Sequence, residues 1–211
     1  MSWGRRPKSL THIATETRRG FLGLMAGAGV LAVARPALAL STDGARTLIQ
    51  HAVADVYSVI NSGLPAPQMY ARFTDIFVRY ADVPVIARSC LGPAARQAQP
   101  AALTNYTNAF TGYIGRKYGK RFHDFVGGRI DVGQAAPVKS FVAVQSTAYL
   151  NGQEPIAVEW HVSDKSGQVR FFNLIVEGVN MISTERAEIA ALLGRHKGDI
   201  NALASDLARA S

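Results

Sequence analysis

The residues best suited to chemistry do not fall in the spacings that catalysis or metal binding requires. Beyond residue 39 the chain has four histidines, none at a metal-ligand spacing from another histidine or from the single cysteine: His51, His123, His161 and His196. His123 and Asp124 are adjacent, and adjacent side chains on a helix point apart, so we expect this pair at a solvated helix end. The sequence therefore offers no histidine-based metal or catalytic cluster.

The cysteine and the carboxylates lead to the same expectation. Cys90 lies beside Leu91 in an apolar helical stretch, which is typical of a buried packing thiol rather than a nucleophile. Glu159 and Glu177 fall on neighbouring predicted strands, where they could form an acid–base pair or could be outward-facing solvated charges. We find no nucleophile elbow, phosphate-binding glycine loop or calcium loop. We predict that the chain is not an enzyme and needs no cofactor.

A basic run at residues 116–121 reads Arg-Lys-Tyr-Gly-Lys-Arg. On a helix its four cations would share one face: Arg116, Lys117, Lys120 and Arg121. That face could simply be solvated, or it could dock to an acidic partner or to anionic lipid head groups.

The first 39 residues resemble an export signal. Residues 17–22 read Thr-Arg-Arg-Gly-Phe-Leu, the twin-arginine pattern, and the fourteen apolar or glycine residues 21–34 follow. That run is shorter than the roughly 18–20 residues that span a bilayer, and it ends before Ala37-Leu38-Ala39, an A-x-A cleavage site. We expect cleavage after Ala39 and a periplasmic mature chain of residues 40–211; the alternative is an uncleaved anchor.

Most of the positive charge belongs to this segment. Residues 1–39 hold six basic residues and one acidic residue, so they carry five of the eight net positive charges. The basic balance is therefore no argument for a nucleic-acid partner, and we predict none.

The remainder of the chain is predicted to be helices, then strands, then helices. Apolar stripes at helical spacing occupy residues 43–61, a segment opened by Pro67, a short segment after Asp82, and a longer one opened by Pro100. Alternating strands are predicted at residues 138–150, 155–162 and 169–179, with a possible short edge strand at 129–132. The third strand is apolar on both faces, which favours a central position. Two last helices are predicted to begin at Thr184 and Asp199.

This order predicts an α+β domain in which a curved antiparallel sheet of about four strands packs against N-terminal and C-terminal helices. The supply of large apolar residues is high for a domain of this size. These residues could fill an ordinary core, or the sheet and helices could enclose an apolar cavity.

Several motifs resemble the MlaC family, the toluene-tolerance or ABC-transporter auxiliary proteins that bind phospholipid. They are Tyr-Ala-Asp-Val-Pro-Val-Ile-Ala-Arg at residues 80–88, Leu-Gly at 91–92, the helix from Phe110 through Tyr113 to Tyr118, and Glu-Gly-Val-Asn-Met-Ile at 177–182. The strand at 156–162 and the ending Lys-Gly-Asp-Ile-Asn-Ala-Leu at 197–203 also fit. The resemblance covers about residues 45–210. Family members commonly carry an ordinary secretion signal, whereas this chain has twin arginines.

The resemblance implies a periplasmic carrier that holds acyl chains in a pocket between sheet and helices. Such carriers pass lipid between an outer-membrane lipoprotein complex and an inner-membrane ABC transporter with an MCE subunit, and so maintain outer-membrane lipid asymmetry. The implied ligand is a phospholipid, with transient membrane contact. From apolar face and element we predict these lipid-binding residues: Phe73, Ile76, Phe77, Ile86, Phe110, Tyr113, Ile114, Val142, Val144, Val158, Trp160, Phe172 and Leu174.

Three alternatives stay open at this stage. The ligand could be another lipid, such as a hopanoid. The fold could serve a small-molecule enzyme, which would need an inward-facing carboxylate with a raised pKa. It could also serve an adaptor with a filled core.

Overall fold

The computed structural model describes residues 40–210, excepting the side chains of residues 122–124. The predicted signal segment and the side chains of His123 and Asp124 lie outside this description. The described helices are α1 (Thr42–Ile60), α2 (Ala66–Tyr80), α3 (Val83–Leu91), α4 (Pro100–Gly119), α5 (Met181–Arg195) and α6 (Ile200–Arg209). Two 3₁₀ helices, Gly92–Arg96 and Lys120–Phe125, follow α3 and α4. Within residues 40–210, no helix is both long and apolar enough to cross a bilayer.

The helices begin at residues whose side chains or backbones suit a helix start. The Ser41 hydroxyl accepts a hydrogen bond from the Gly44 amide at 3.0 Å, and the Asp199 carboxylate accepts from Asn201 and Ala202. Helix α5 begins at Met181, three residues before the predicted start, because the Asn180 side chain caps it by accepting from the Ser183 amide. Prolines occupy the first turns of α2, α3 and α4, where a missing amide costs nothing.

The strands form one antiparallel meander in the order β1 (Arg129–Val138), β2 (Phe141–Tyr149), β3 (Ile156–Ser163), β4 (Arg170–Val176) and β5 (Val179–Asn180). The predicted α+β class is confirmed. The predicted strand at 138–150 was wrong in its start. A turn at Lys139, with φ of +49°, pairs Val138 with Phe141, so Val138 belongs to a ten-residue β1. Pro137 is tolerated there because β1 is an edge strand.

The strand predicted to be central, β4, lies next to the end of the sheet. Its far side is covered in two pieces: β5 pairs with Ile175 and Val176, and Ala81 forms a parallel bridge to Phe171. The Asp82 amide donates to the Phe171 carbonyl at 2.7 Å, and Arg170 donates to the Val78 carbonyl at 2.9 Å. The apolar character of β4 thus reflects burial under helices and short covering segments rather than a central place in the sheet.

Two glycines let α2 and α4 approach closely. A Cβ at Gly115 would lie 2.0 Å from the Thr74 hydroxyl oxygen, and a Cβ at Gly119 would lie 2.7 Å from the Tyr70 ring. Both positions are on the same face of α4, one turn apart. The absence of side chains there sets the spacing between the two helices that carry much of the apolar surface.

We expect Gly115→Ala to lower the free energy of unfolding by about 1–3 kcal/mol, because the new methyl group must displace Thr74 or separate the helices. The matched control is Gly194→Ala in α5, where no heavy atom lies within 4 Å of the added Cβ. That change should be neutral or stabilise by about 0.5 kcal/mol through helix propensity. Urea unfolding followed by circular dichroism measures both, and equal effects would contradict the close contact.

Candidate functional site

A pocket of about 520 Å³ lies between the sheet and the helices. This volume is in the range of about 300–1,000 Å³ typical of small-molecule sites. Helices α1 to α5, the 3₁₀ helix Lys120–Phe125 and strands β1 to β4 all contribute to its wall. The lining side chains are almost all apolar, the described exceptions with ionic or amide groups being Arg121, Gln153, Asn173 and Glu185.

Most of the predicted lipid-binding residues meet at this pocket. Those that line it are Phe73, Ile76, Phe77, Ile86, Phe110, Ile114, Val158, Trp160, Phe172 and Leu174. They come from three helices and two strands that are far apart in sequence. Helical and strand periodicity therefore predicted the inward faces of α2, α3, α4, β3 and β4.

Aromatic rings form the part of the wall where β3 and β4 meet α2. The Trp160 indole nitrogen donates to the Ser146 hydroxyl at 2.9 Å, which satisfies the one polar atom of that side chain. The Trp160 ring meets Phe171 edge-on, with centroids 5.3 Å apart, and Phe171 lies 6.4 Å from Phe77. The hydrogen bond fixes the indole so that its apolar surface is available to the pocket.

Three predicted residues are absent from the pocket lining. Val142 and Val144 lie on the same face of β2 as the lining residue Ala148, but they belong to the buried core with Ile49 of α1. Helix α1 packs on β1 and β2, so it covers this end of the sheet. Tyr113 is also buried, and its hydroxyl donates to the Glu188 carboxylate. The sequence correctly predicted that these three residues face inward, but they are packed against other side chains and do not line the pocket.

Sequence reasoning missed several lining residues. Some followed from the same periodicities: Cys90 lies one helical turn after Ile86, Tyr118 one turn after Ile114, and Ile156 alternates with Val158. For others, such as Phe171 and Ile182, the place in the lining depends on how β4 and α5 pack together. No local sequence pattern indicates that packing. Phe171 and Phe172 both line the pocket because a register shift between His161 and Val162 interrupts the alternation.

A buried carboxylate joins α5 to α4 at the edge of the pocket. Glu185 is 4% exposed, and its oxygens accept from Lys117 Nζ at 2.8 and 3.0 Å and from the Tyr118 hydroxyl at 2.5 Å. Lys117 also donates to Glu188 at 2.5 Å. The charge of Glu185 is therefore balanced within the protein, as burial beside an apolar space requires.

The pKa shifts around this network follow from the same contacts. Burial alone would raise the pKa of Glu188, but hydrogen bonds from Lys117 and Tyr113 hold it below its ordinary value. Burial and the hydrogen bond to Glu188 raise the pKa of Tyr113 to about 12. Burial would lower the pKa of Lys117, but its bonds to Glu185 and Glu188 outweigh burial and raise it. The contacts thus favour the charged forms of Lys117 and Glu188.

The basic run does not form one docking face. Arg116 donates to the carbonyls of Leu207 and Ala210 at 2.7 Å each, so it closes the end of α6. Lys117 is committed to the glutamates. Lys120 and Arg121 are exposed, and of these two Arg121 lines the pocket.

The groups considered for catalysis are held in structural contacts. Glu159 accepts from Gln145 at 2.6 Å and bonds His161 at 2.7 Å, and the bond to His161 holds its pKa below the usual value. Glu177 instead accepts a hydrogen bond from the Ala157 amide, so the two carboxylates do not pair.

The cysteine and the possible metal ligands give no reactive site either. Burial raises the pKa of Cys90 to about 12, which disfavours a thiolate. Among the side chains that the structure describes, which exclude those of residues 122–124, no group of three or more His, Cys, Asp or Glu residues is placed to bind a metal.

Fold and pocket together define a small α+β domain that keeps an apolar space between a meander sheet and its helices. A solved structure has this fold: the phospholipid-binding protein from Ralstonia solanacearum in complex with a phospholipid. It matches with a TM-score of 0.66 at 18% sequence identity, over 78% of this chain and 99% of that chain.

The family follows from the sequence. The family model described as MlaC protein matches residues 50–209, about three quarters of the chain. The protein belongs to the MlaC family, and the predicted resemblance is confirmed. Family and fold together point to a binding or transport protein rather than an enzyme.

We expect Glu185→Ala to lower the free energy of unfolding by about 2–4 kcal/mol, because it leaves Lys117 and Tyr118 partly buried with fewer partners. The control is Arg79→Ala, which breaks an ion pair with Asp55 whose side chains are 64% and 37% exposed. That loss should stay within about 1 kcal/mol. Equal losses in urea unfolding would show that the Glu185 network does not tie the helices together.

Proposed function

We propose that this protein is a lipid carrier that binds the acyl chains of a phospholipid in the 520 Å³ pocket. The observation that carries the proposal is the nearly continuous apolar lining of a pocket that opens to solvent. The MlaC family match and the phospholipid in the Ralstonia solanacearum structure support it. The ten predicted residues that line the pocket are proposed as acyl-chain contacts.

The energetics suit a carrier. Moving an acyl chain out of water gains about 0.8 kcal/mol per CH₂, so two chains of about 15 carbons represent roughly 24 kcal/mol. A bilayer offers nearly the same gain. The pocket therefore needs to match the bilayer rather than exceed it, and lipid can then be exchanged in either direction. Partners at the two membranes would set the direction of transport.

We propose further that the carrier works in the periplasm. It would exchange lipid with an outer-membrane lipoprotein complex and with an inner-membrane ABC transporter that carries an MCE subunit, as the family resemblance implies. Transient contact with a membrane surface would accompany loading.

The twin-arginine segment supports export, with removal of residues 1–39. We expect the protein recovered from a periplasmic extract to begin at Leu40, and intact-mass measurement would establish its first residue. Replacing Arg18 and Arg19 by Lys should retain full-length protein inside the cell, because twin-arginine export requires recognition of that pair of arginines. A protein found at full length in the wild-type periplasm would contradict the cleavage proposal.

The central test is lipid extraction from protein purified without detergent, followed by mass spectrometry. We expect about one phospholipid per protein. Ile76→Trp should lower the lipid content severalfold, because Ile76 lines the pocket and the larger ring occupies its space. The control is Val78→Trp on the same helix, since Val78 is 50% exposed and lies outside this pocket.

A second variant tests the effect of a charge in the pocket wall, separately from the effect of side-chain volume. Leu174→Asp should also lower lipid content, because it puts a carboxylate into the pocket wall, while Ile175→Asp on the same strand should not. Circular dichroism confirms that each variant folds.

Recovery of a hopanoid from the purified protein would support a lipid carrier but would change the identity of the bound lipid. A folded, lipid-free protein that takes up no lipid from vesicles would overturn the proposal.

A further inference from the structure

The mouth of the pocket can be located from exposure. Among the described residues that line the pocket, two are exposed to solvent: Arg121 in the 3₁₀ helix Lys120–Phe125, and Gln153 in the turn between β2 and β3. The other described lining residues are buried or half-buried. A residue that both lines the pocket and faces solvent marks its rim. The opening therefore lies between the end of α4 and the β2–β3 turn.

The charges of the lining are distributed unevenly. Glu185 is buried, and Lys117 and Tyr118 donate hydrogen bonds to it. Arg121 makes no hydrogen bond or ion pair with any side chain that the structure describes, and neither does the side-chain amide of Gln153. The rim thus offers a free guanidinium and a free amide beside an apolar interior. This pairing is suited to an amphiphile whose polar end is an anionic oxygen-rich group.

We propose that Arg121, assisted by Gln153, binds the phosphate of the lipid head group at the rim and thereby selects phosphodiester lipids over uncharged ones. This inference rests on the proposed function. A guanidinium donates paired hydrogen bonds that fit phosphate geometry, and the Gln153 amide supplies a neutral donor at the same rim. The acyl chains extend from that point into the pocket. The rim therefore discriminates between head groups, whereas the interior discriminates only by the length and volume of the acyl chains.

The test compares two lipids with the same acyl chains, phosphatidylglycerol and diacylglycerol, which differ in the phosphate. Delipidated protein is incubated with vesicles containing equal amounts of both, re-isolated and extracted. We expect the wild-type protein to favour phosphatidylglycerol, and Arg121→Ala to reduce that preference about three- to tenfold, the range for a charge-assisted bond at a partly exposed site. Gln153→Ala should reduce it less, and circular dichroism confirms that both variants fold.

The matched control is Arg46→Ala, which removes an equal charge from an exposed position of α1 outside the pocket lining. It should leave the preference intact. A further arm adds glycerol 1-phosphate as a soluble competitor, and we expect no effect at concentrations far above that of the lipid. Competition would place a free phosphate rather than a lipid at the rim and would overturn the inference.

The remaining outcomes separate the two proposals. Equal uptake of both lipids by the wild-type protein, or an undiminished preference in Arg121→Ala, overturns the rim site and leaves the carrier standing. Uptake of neither lipid by the folded wild-type protein overturns both.

Discussion

The buried carboxylate of Glu185 is the interaction on which the arrangement of the pocket depends. A charge at 4% exposure is stable only where donors surround it, and those donors are consecutive residues of α4, Lys117 and Tyr118. Helix α5 contributes Met181 and Ile182 to one wall, and α4 contributes Ile114 to another. Because a charged pair has a defined geometry whereas apolar contact does not, the network holds two walls at a set distance, and the space between them need not collapse.

The glycine contacts join α4 to a different helix, α2. Gly115 and Gly119 allow α2 to lie against the backbone of α4, so the Phe73 and Phe77 rings reach the same pocket as Phe110. Helix α4 is thus fixed on two sides by contacts that tolerate little movement. The remaining wall is the sheet, whose β4 edge is covered by Ala81 and β5. A domain with an unfilled interior keeps its shape because rigid contacts surround that interior rather than fill it.

The sequence predicted much of this architecture, and its failures have physical causes. Proline and cap residues located the helix starts, and periodicity located ten residues of the pocket wall, because both signals are local. Val142 and Val144 were assigned to the pocket because strand alternation identifies a face but does not reveal that α1 covers part of it. Arg116 and Lys117 were assigned to a surface because a charge run does not disclose the carbonyls of α6 or the carboxylates of α5. Both errors concern contacts between segments some 70 to 95 residues apart.

The position of Trp160 has a spectroscopic consequence. The sequence has two tryptophans, Trp3 and Trp160, and Trp3 belongs to the segment proposed to be removed. In the mature chain one indole would then produce all of the tryptophan emission, and that indole is held by Ser146 with its ring in the pocket wall. Its emission wavelength reports the polarity of whatever adjoins it, water or hydrocarbon. The protein thus contains its own optical probe of pocket occupancy, and exchange with a vesicle could be timed without any label.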